Sequence, residues 1–378
     1  MPPLLKLVSC VAMCVAFIPT ATVRADTNST DWTMGPFVRP PDAQPIIKPN
    51  PDSVFDCPMR KMPVHWEAPH TFNPAAIVKD GKVWVLYRAE DDIGKGIGGY
   101  TSRLGLASSE DGIHFTSQRA PVLYPAEDGH QSADWEGGCE DPRIVELEDG
   151  TYALFYTQYH RIKGEPRRTT LGLATSRDLV HWTKQGTVQG PDAKGKLVTP
   201  SKSASLLTAV KDGRVIAAKI DGKYWLYYGE GTIYLLTSPD LKTWTPVPNF
   251  SLRTRPGHYD SGLAECGPPA LLTANGIVLL YNGKNAGGEK SDPKLKPGVY
   301  AGGQALFDAK DPTKLLARTD EPFFQPELDW EKNGQYAAGT TFIEGLVLFK
   351  NKWLLYYGCA DTFVGVAIAQ PKPAELRP

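Results

Sequence analysis

The chain has 378 residues, room for one large domain or two ordinary ones. Hydrophobic residues make up 41%, which excludes a disordered chain, and 41 Lys plus Arg stand against 42 Asp plus Glu, which removes the basic excess of a nucleic-acid binder. The 36 Gly, 33 Pro, 16 Tyr and 9 Trp indicate many turns and short aromatic strands, an all-β pattern rather than a helical bundle or a doubly wound α/β fold.

Residues 1–25 read as a secretory signal. Lys6 supplies the positive start, and the apolar run over residues 7–18 is well short of the roughly 20 residues that span a bilayer. Val23-Arg24-Ala25 places small residues where a signal peptidase reads, so cleavage is expected after Ala25. No later stretch is apolar enough to cross a membrane. The expectation is an exported protein, secreted or periplasmic, with no membrane insertion. Residues 26–44 read as an N-terminal extension and residues 45–378 as a single domain. Asn28-Ser29-Thr30 is a glycosylation acceptor only in a eukaryotic secretory route. The mature chain would keep Cys57, Cys139, Cys266 and Cys359, too widely spaced for a zinc pattern or a small disulfide framework, so buried free thiols are expected.

One unit recurs five times. Aromatic-rich strands stand at residues 83–88 (VWVLYR), 152–157 (YALFYT), 224–229 (YWLYYG), 277–282 (IVLLYN) and 353–358 (WLLYYG). Each follows a turn: Asp80-Gly81, Asp149-Gly150, Asp221-Gly222, Asn275-Gly276 and Lys350-Asn351-Lys352. A further strand follows at residues 104–108, 171–175, 233–237, 301–305 and 364–367. In the first three units a turn and an aromatic come next, at Phe115, Trp182 and Trp244. The turns lie roughly 55–75 residues apart, the signature of a repeat architecture. Five meandering units closing radially predict a five-bladed β-propeller, with Pro45-Ile46-Ile47 completing the fifth blade. A pair of β-sandwiches would not need five like-spaced copies.

In such a ring the chemistry should sit at the rim, beside the inner strands. Before the inner strands stand Asn73, Glu140-Asp141, Lys202-Ser203, Glu265 and Glu344. After the second strands stand Arg88 to Asp92, Tyr159-His160, Glu230, Lys284-Asn285 and Asp361. Carboxylates are in excess, and a buried carboxylate is usually paired or functional. One reading pairs them with Arg88, Arg103, Arg143 or Lys284 to hold the blades together. The other is carbohydrate chemistry, in which one carboxyl gives a proton and another activates water, while aromatics stack on sugar faces. No Gly-x-Ser-x-Gly elbow occurs, the His residues show no metal spacing, and no cofactor motif appears. Gly94-Lys95-Gly96-Ile97-Gly98-Gly99 follows an acidic run rather than opening a Rossmann helix, and reads as a mobile loop near the rim.

Several motifs carry a resemblance. Cys139-Glu140-Asp141-Pro142-Arg143-Ile144, Cys266-Gly267-Pro268-Pro269-Ala270, Tyr357-Gly358-Cys359-Ala360-Asp361-Thr362, Phe72-Asn73-Pro74 and Leu86-Tyr87-Arg88-Ala89-Glu90-Asp91 resemble those of glycoside hydrolase family 130, over about residues 45–370. The resemblance implies a five-bladed propeller acting on β-mannosides with inversion, as a phosphorylase or a hydrolase. It implies that Asp141 is the general acid, protonating the bridging oxygen through the mannose 3-hydroxyl. A phosphate-binding Tyr-His-Gly motif reads Tyr281-Asn282-Gly283 here, and the family's hydrolytic members place glutamates in that region. Glu230 and Glu265 are the candidate bases. The candidate substrate ligands are Asn73, Arg88, Asp91, Arg103, Glu140, Asn282 and Asp361. The expectation is an exported inverting β-mannosidase on a mannose-containing oligosaccharide, the β-1,2 linkage favoured, with no metal. Alternatives are a phosphate-dependent phosphorylase, a non-catalytic carbohydrate-binding propeller, and a related enzyme on arabinosides or fructosides.

Overall fold

The computed structural model describes residues 30–377. The signal segment and Asn28-Ser29 lie outside the described residues.

Five antiparallel sheets follow one another along the chain. The first comprises His70–Lys79, Lys82–Glu90, Ser102–Ser109 and Thr116–Ser117. The second comprises Glu136–Glu146, Tyr152–His160, Arg168–Ser176 and Thr183–Thr187. The third comprises Ala204–Lys211, Tyr224–Tyr228, Tyr234–Ser238 and Thr245–Pro246. In the fourth a broken inner strand, Leu263–Cys266 and Ala270–Thr273, pairs with Gly276–Lys284, followed by Tyr300–Phe307 and Leu315–Arg318. The fifth comprises Thr341–Phe349, Lys352–Cys359 and Phe363–Ala369.

The turns behave as their residue types require. Asp80-Gly81, Asp221-Gly222 and Lys350-Asn351 have both residues at positive φ, the two-residue hairpin geometry. The third sheet departs from expectation. Its inner strand first turns back at Asp212-Gly213 into Arg214–Ala217, and only later does Tyr224–Tyr228 pair with its opening half. Asp212-Gly213 carries the same turn signal as the others, but no aromatic strand follows it.

Tyrosine packing explains the repeated glycine of the third strands. Tyr87 faces Gly105, Tyr156 faces Gly172, Tyr281 faces Gly303 and Tyr357 faces Gly365 across the ladder. A Cβ on any of the four glycines would fall within 3.0 Å of its tyrosine ring, so the ring lies flat on bare backbone.

Strands are buried on both faces because each sheet is covered by its neighbours. Ile77 and Leu86 of the first sheet pack with Ile144 and Leu154 of the second. Phe155 of the second packs with Leu226 and Trp244 of the third. Tyr227 of the third packs with Leu279 and Phe307 of the fourth, and Leu280 of the fourth with Trp353 and Leu355 of the fifth. The series closes where Val85 of the first packs with Leu354 and Val366 of the fifth. Neighbouring inner strands run parallel where they touch, as Leu207 to Ala209 do beside Ala270 to Leu272.

The N-terminal segment completes the fifth sheet. Ile47 bridges Val364, as expected, and the pairing extends back to Val38, which bridges Ile368. Met34 and Phe37 are buried in the cluster between the fourth and fifth sheets, so part of the expected extension over residues 26–44 belongs to the core. Cys57, Cys139, Cys266 and Cys359 are free and buried, and among the described residues no helix is long and apolar enough to cross a membrane.

Candidate active site

Bulges aim the central side chains. The inner ladder slips at Asn73, between Phe72 and Pro74, at Asp141-Pro142, between Glu140 and Arg143, and at Glu344, between Ile343 and Gly345. A bulge re-aims one side chain without ending the strand, and a proline beside it forfeits no ladder donor. Asn73, Asp141, Ser203 and Asp361 all hold positive φ. That conformation is sparsely allowed outside glycine, and such strain gathers at functional sites. Asn73 and Asp141 therefore stand within their inner strands rather than ahead of them, Ser203 directly precedes its strand, and Asp361 lies in the turn after the second strand of the fifth sheet.

A cavity at this end is lined by Asn73, Arg88, Glu140, Asp141, Lys202, Glu265 and Asp361. Phe72, Tyr300, Tyr336 and Phe342 form its aromatic wall, and Ile97 and Gly98 bring the glycine-rich loop to its edge. Asp141 is its hub. Asn73 Nδ2 donates to Asp141 Oδ1 at 2.8 Å, and Arg88 Nη1 reaches the same oxygen at 3.2 Å. Lys202 Nζ lies 3.4 Å from Asp141 Oδ2, 3.5 Å from Glu265 Oε1 and 3.9 Å from Glu230 Oε1. Arg88 Nη2 also pairs with Glu90 and Glu140, each at 2.8 Å. Ser203 Oγ donates to Glu265.

Burial and charge divide the carboxyls. Burial would push Asp141 up, but Lys202, Arg88 and Arg143, with the Asn73 hydrogen bond, hold it well below the usual carboxylate range. Glu140 is pushed up to about 7, first by burial and then by Asp141, against Arg88. Asp361 is likewise pushed up to about 7 by burial, with Arg88 opposing. Burial raises Glu265, and Glu230 adds to it, against Lys202. The site thus holds one firmly ionised carboxylate among several that resist ionisation, the pattern of an acid–base site.

Three expected ligands fall elsewhere. Asp91 and Arg103 form a wholly buried ion pair at 3.0 Å, and Arg103 also donates to Thr101 O and Cys57 Sγ. They do not line the cavity and instead join the first sheet to the segment before it. Asn282 exchanges both amide hydrogen bonds with the backbone of Ile343, fastening the fourth sheet to the fifth. Glu230 sits at the margin, its side chain 43% exposed, in an adjoining groove with Tyr228 and Tyr234. Lys202 was not among the expected ligands. The signal was present, because Lys202-Ser203 stands in the third unit where Asn73 and Asp141 stand in the first two. The wall residues Tyr300, Tyr336 and Phe342 carried no motif.

The arrangement defines a carboxylate-centred site suited to proton transfer on a polar, uncharged ligand. Comparison with known proteins supplies the family. Residues 39–372 match the model of glycoside hydrolase family 130, described as beta-1,4-mannooligosaccharide phosphorylase, and the chain belongs to this family. A 1,2-beta-oligomannan phosphorylase from Thermoanaerobacter sp. (strain X514) is 35% identical over 84% of this chain and 96% of its own. A solved structure, from work stating that the family of mannoside phosphorylases "contains glycoside hydrolases that target beta-1,2 mannosidic linkages in Candida mannan", is 50% identical. It covers 92% of this chain and 98% of its own, with a TM-score of 0.86. A glycosyl hydrolase from Bacteroides ovatus is 49% identical over 91% of this chain and 97% of its own, with a TM-score of 0.85.

Proposed function

We propose that the five sheets form a five-bladed β-propeller and that the chain is an inverting glycosidase releasing mannose from β-1,2-linked mannosides. The carrying observation is the sharing of Lys202 by Asp141, Glu265 and Glu230. Contact with the same ammonium keeps each glutamate within about 7 Å of the Asp141 carboxylate, so acid and base candidates face one another across a single small site.

The roles follow from the charges. Asp141 and Glu140 share Arg88, and the charge of Asp141 adds to the burial that raises Glu140. Asp141 is ionised in the free site, so the acid role requires that it gain a proton on binding: a sugar that draws Arg88 away from it and excludes water raises its proton affinity. The mannose 3-hydroxyl then gives its proton to the bridging oxygen, and Asp141 gives its own to that hydroxyl. Glu265 takes a proton from a water molecule that attacks the anomeric carbon from the opposite face. Lys202 opposes the burial that raises Glu265, and so favours the ionised form that this task needs. Asn73, Glu140 and Asp361 offer polar groups to the sugar hydroxyls, and Tyr300 and Tyr336 offer faces to the ring.

Phosphorolysis is the second reading, and the phosphorylase named at 35% identity supports it. Electrostatics oppose it, because a phosphate dianion would enter beside Glu265 and Glu230 with Lys202 already committed to three carboxylates. Assays with and without inorganic phosphate separate the readings: mannose alone supports hydrolysis, and mannose 1-phosphate overturns it. Export, secreted or periplasmic, rests on residues 1–25 and is tested by locating the mature protein and its N-terminus.

A further inference from the structure

Below the cavity lies a group that the proposed reaction does not use. Glu344 is wholly buried at the bulge of the fifth inner strand, and its Oε1 lies 2.7 Å from Arg143 Nη1. Apart from that contact, neither carboxyl oxygen has a hydrogen-bond partner. Such a group is costly to bury and needs an explanation.

Arg143 supplies one. It is 1% exposed, and its guanidinium donates to Asp141 O at 3.0 Å, Cys266 O at 2.8 Å and Gly267 O at 3.3 Å. Cys266 directly follows Glu265. One planar fork therefore binds the backbone that carries the proposed acid and the backbone that carries the proposed base. From the fifth sheet Glu344 pairs with the fork, and the Phe342 ring lies 5.7 Å from its centre. We propose that Glu344 is a positioning residue for this reaction, holding Arg143 so that Arg143 sets the spacing of Asp141 and Glu265; this rests on the acid–base roles given above.

Lysine could not replace the fork, since a point charge cannot span three carbonyls and a carboxyl. The groups that face Glu344 are Arg143, Asp141, Glu265 and Lys202. Burial pushes the Glu344 carboxyl well above its ordinary range, with Arg143 opposing. A neutral carboxyl keeps the contact yet leaves the charge of Arg143 acting on Asp141 and Glu265. Glutamine, equally neutral and nearly isosteric, should serve in its place.

The test is steady-state kinetics on β-1,2-mannobiose for Glu344→Gln, Glu344→Asp, Glu344→Ala and Asp141→Asn, with thermal melting of each. Displacement of a reacting group by about 1 Å costs roughly a hundredfold, so Glu344→Ala should lose about tenfold to a hundredfold in kcat with KM little changed. Glu344→Asp, one methylene short and still able to fold, should lose kcat in the same sense. Glu344→Gln should recover most of the wild-type rate. Wild-type kcat in both Glu344→Ala and Glu344→Asp, or a glutamine variant as slow as alanine, overturns the proposal. Asp141→Asn separates the two claims: if it is inactive while the Glu344 variants are normal, only the positioning role fails, and if it is fully active, the acid assignment fails instead.

Discussion

Lys202 Nζ lies 3.4 Å from Asp141 Oδ2, and Glu265 is held by the same ammonium on its other side. Acid and base candidates are thus coupled through one cation. Lys202→Met should raise the proton affinity of both carboxyls, because Lys202 lowers each in the folded site. As pH falls, activity that needs an ionised Glu265 should then be lost sooner, so the acid limb of the kcat/KM profile should move to higher pH. A rate loss of about a hundredfold or more is expected, the usual scale for a preorganised electrostatic group. An unmoved acid limb would contradict the coupling.

Between the glutamates, Glu265 is expected to be the base. It is 1% exposed in the cavity, whereas the Glu230 side chain is 43% exposed at its margin. Glu265→Gln should slow turnover by about 10²–10⁴-fold, the range of acid–base catalysis, and Glu230→Gln by less. Burial raises Glu265, so wild-type activity should fall as pH drops through a value above the ordinary carboxylate range. The reverse ranking of the two variants would hand the role to Glu230.

The buried pair of Asp91 and Arg103 bears on stability instead. Removing one partner strands a charge with no access to water, a loss of about 3–5 kcal/mol. Asp91→Ala should lower the melting temperature markedly while leaving kcat unchanged wherever the protein is folded. A variant with normal stability and a raised KM would restore Asp91 to the substrate.

A repeated turn makes a pH-dependent contribution. In the second sheet Asp178 Oδ1 accepts from the backbone N–H of Val180 and His181, and Asp178 Oδ2 lies 2.7 Å from His181 Nδ1. These bonds hold the folded carboxyl below its ordinary range, the His181 backbone bond first. A depressed folded value means stability that is complete above the unfolded carboxylate range and lost as pH falls through the folded one. The melting-temperature gap between wild type and Asp178→Asn should therefore shrink as pH is lowered. A gap independent of pH would show that the charge does not matter there.

Asp111-His114 and Asp178-His181 build the same turn, and Asp240-Thr243 builds it without the imidazole. That is why the turn sequences of the first three units read so alike: local chemistry writes itself into adjacent residues. The hairpin turns were legible for the same reason. Asp141 and Asn73 were legible because each bulge has its own short motif. The failures share a cause as well. Asp91, Arg103 and Asn282 occur in motif-rich stretches, yet whether such a side chain meets a sugar or a distant backbone is decided by residues such as Ile343, across a sheet boundary. The aromatic wall of Tyr300, Tyr336 and Phe342 is assembled by tertiary packing from two segments and left no local trace.

The central claim is that water, not phosphate, attacks the mannoside. Product analysis on β-1,2-mannobiose, in matched reactions with and without inorganic phosphate, tests it most directly. Hydrolysis predicts mannose as the sole product at a rate independent of phosphate. Formation of mannose 1-phosphate, with turnover that depends on added phosphate, would contradict it.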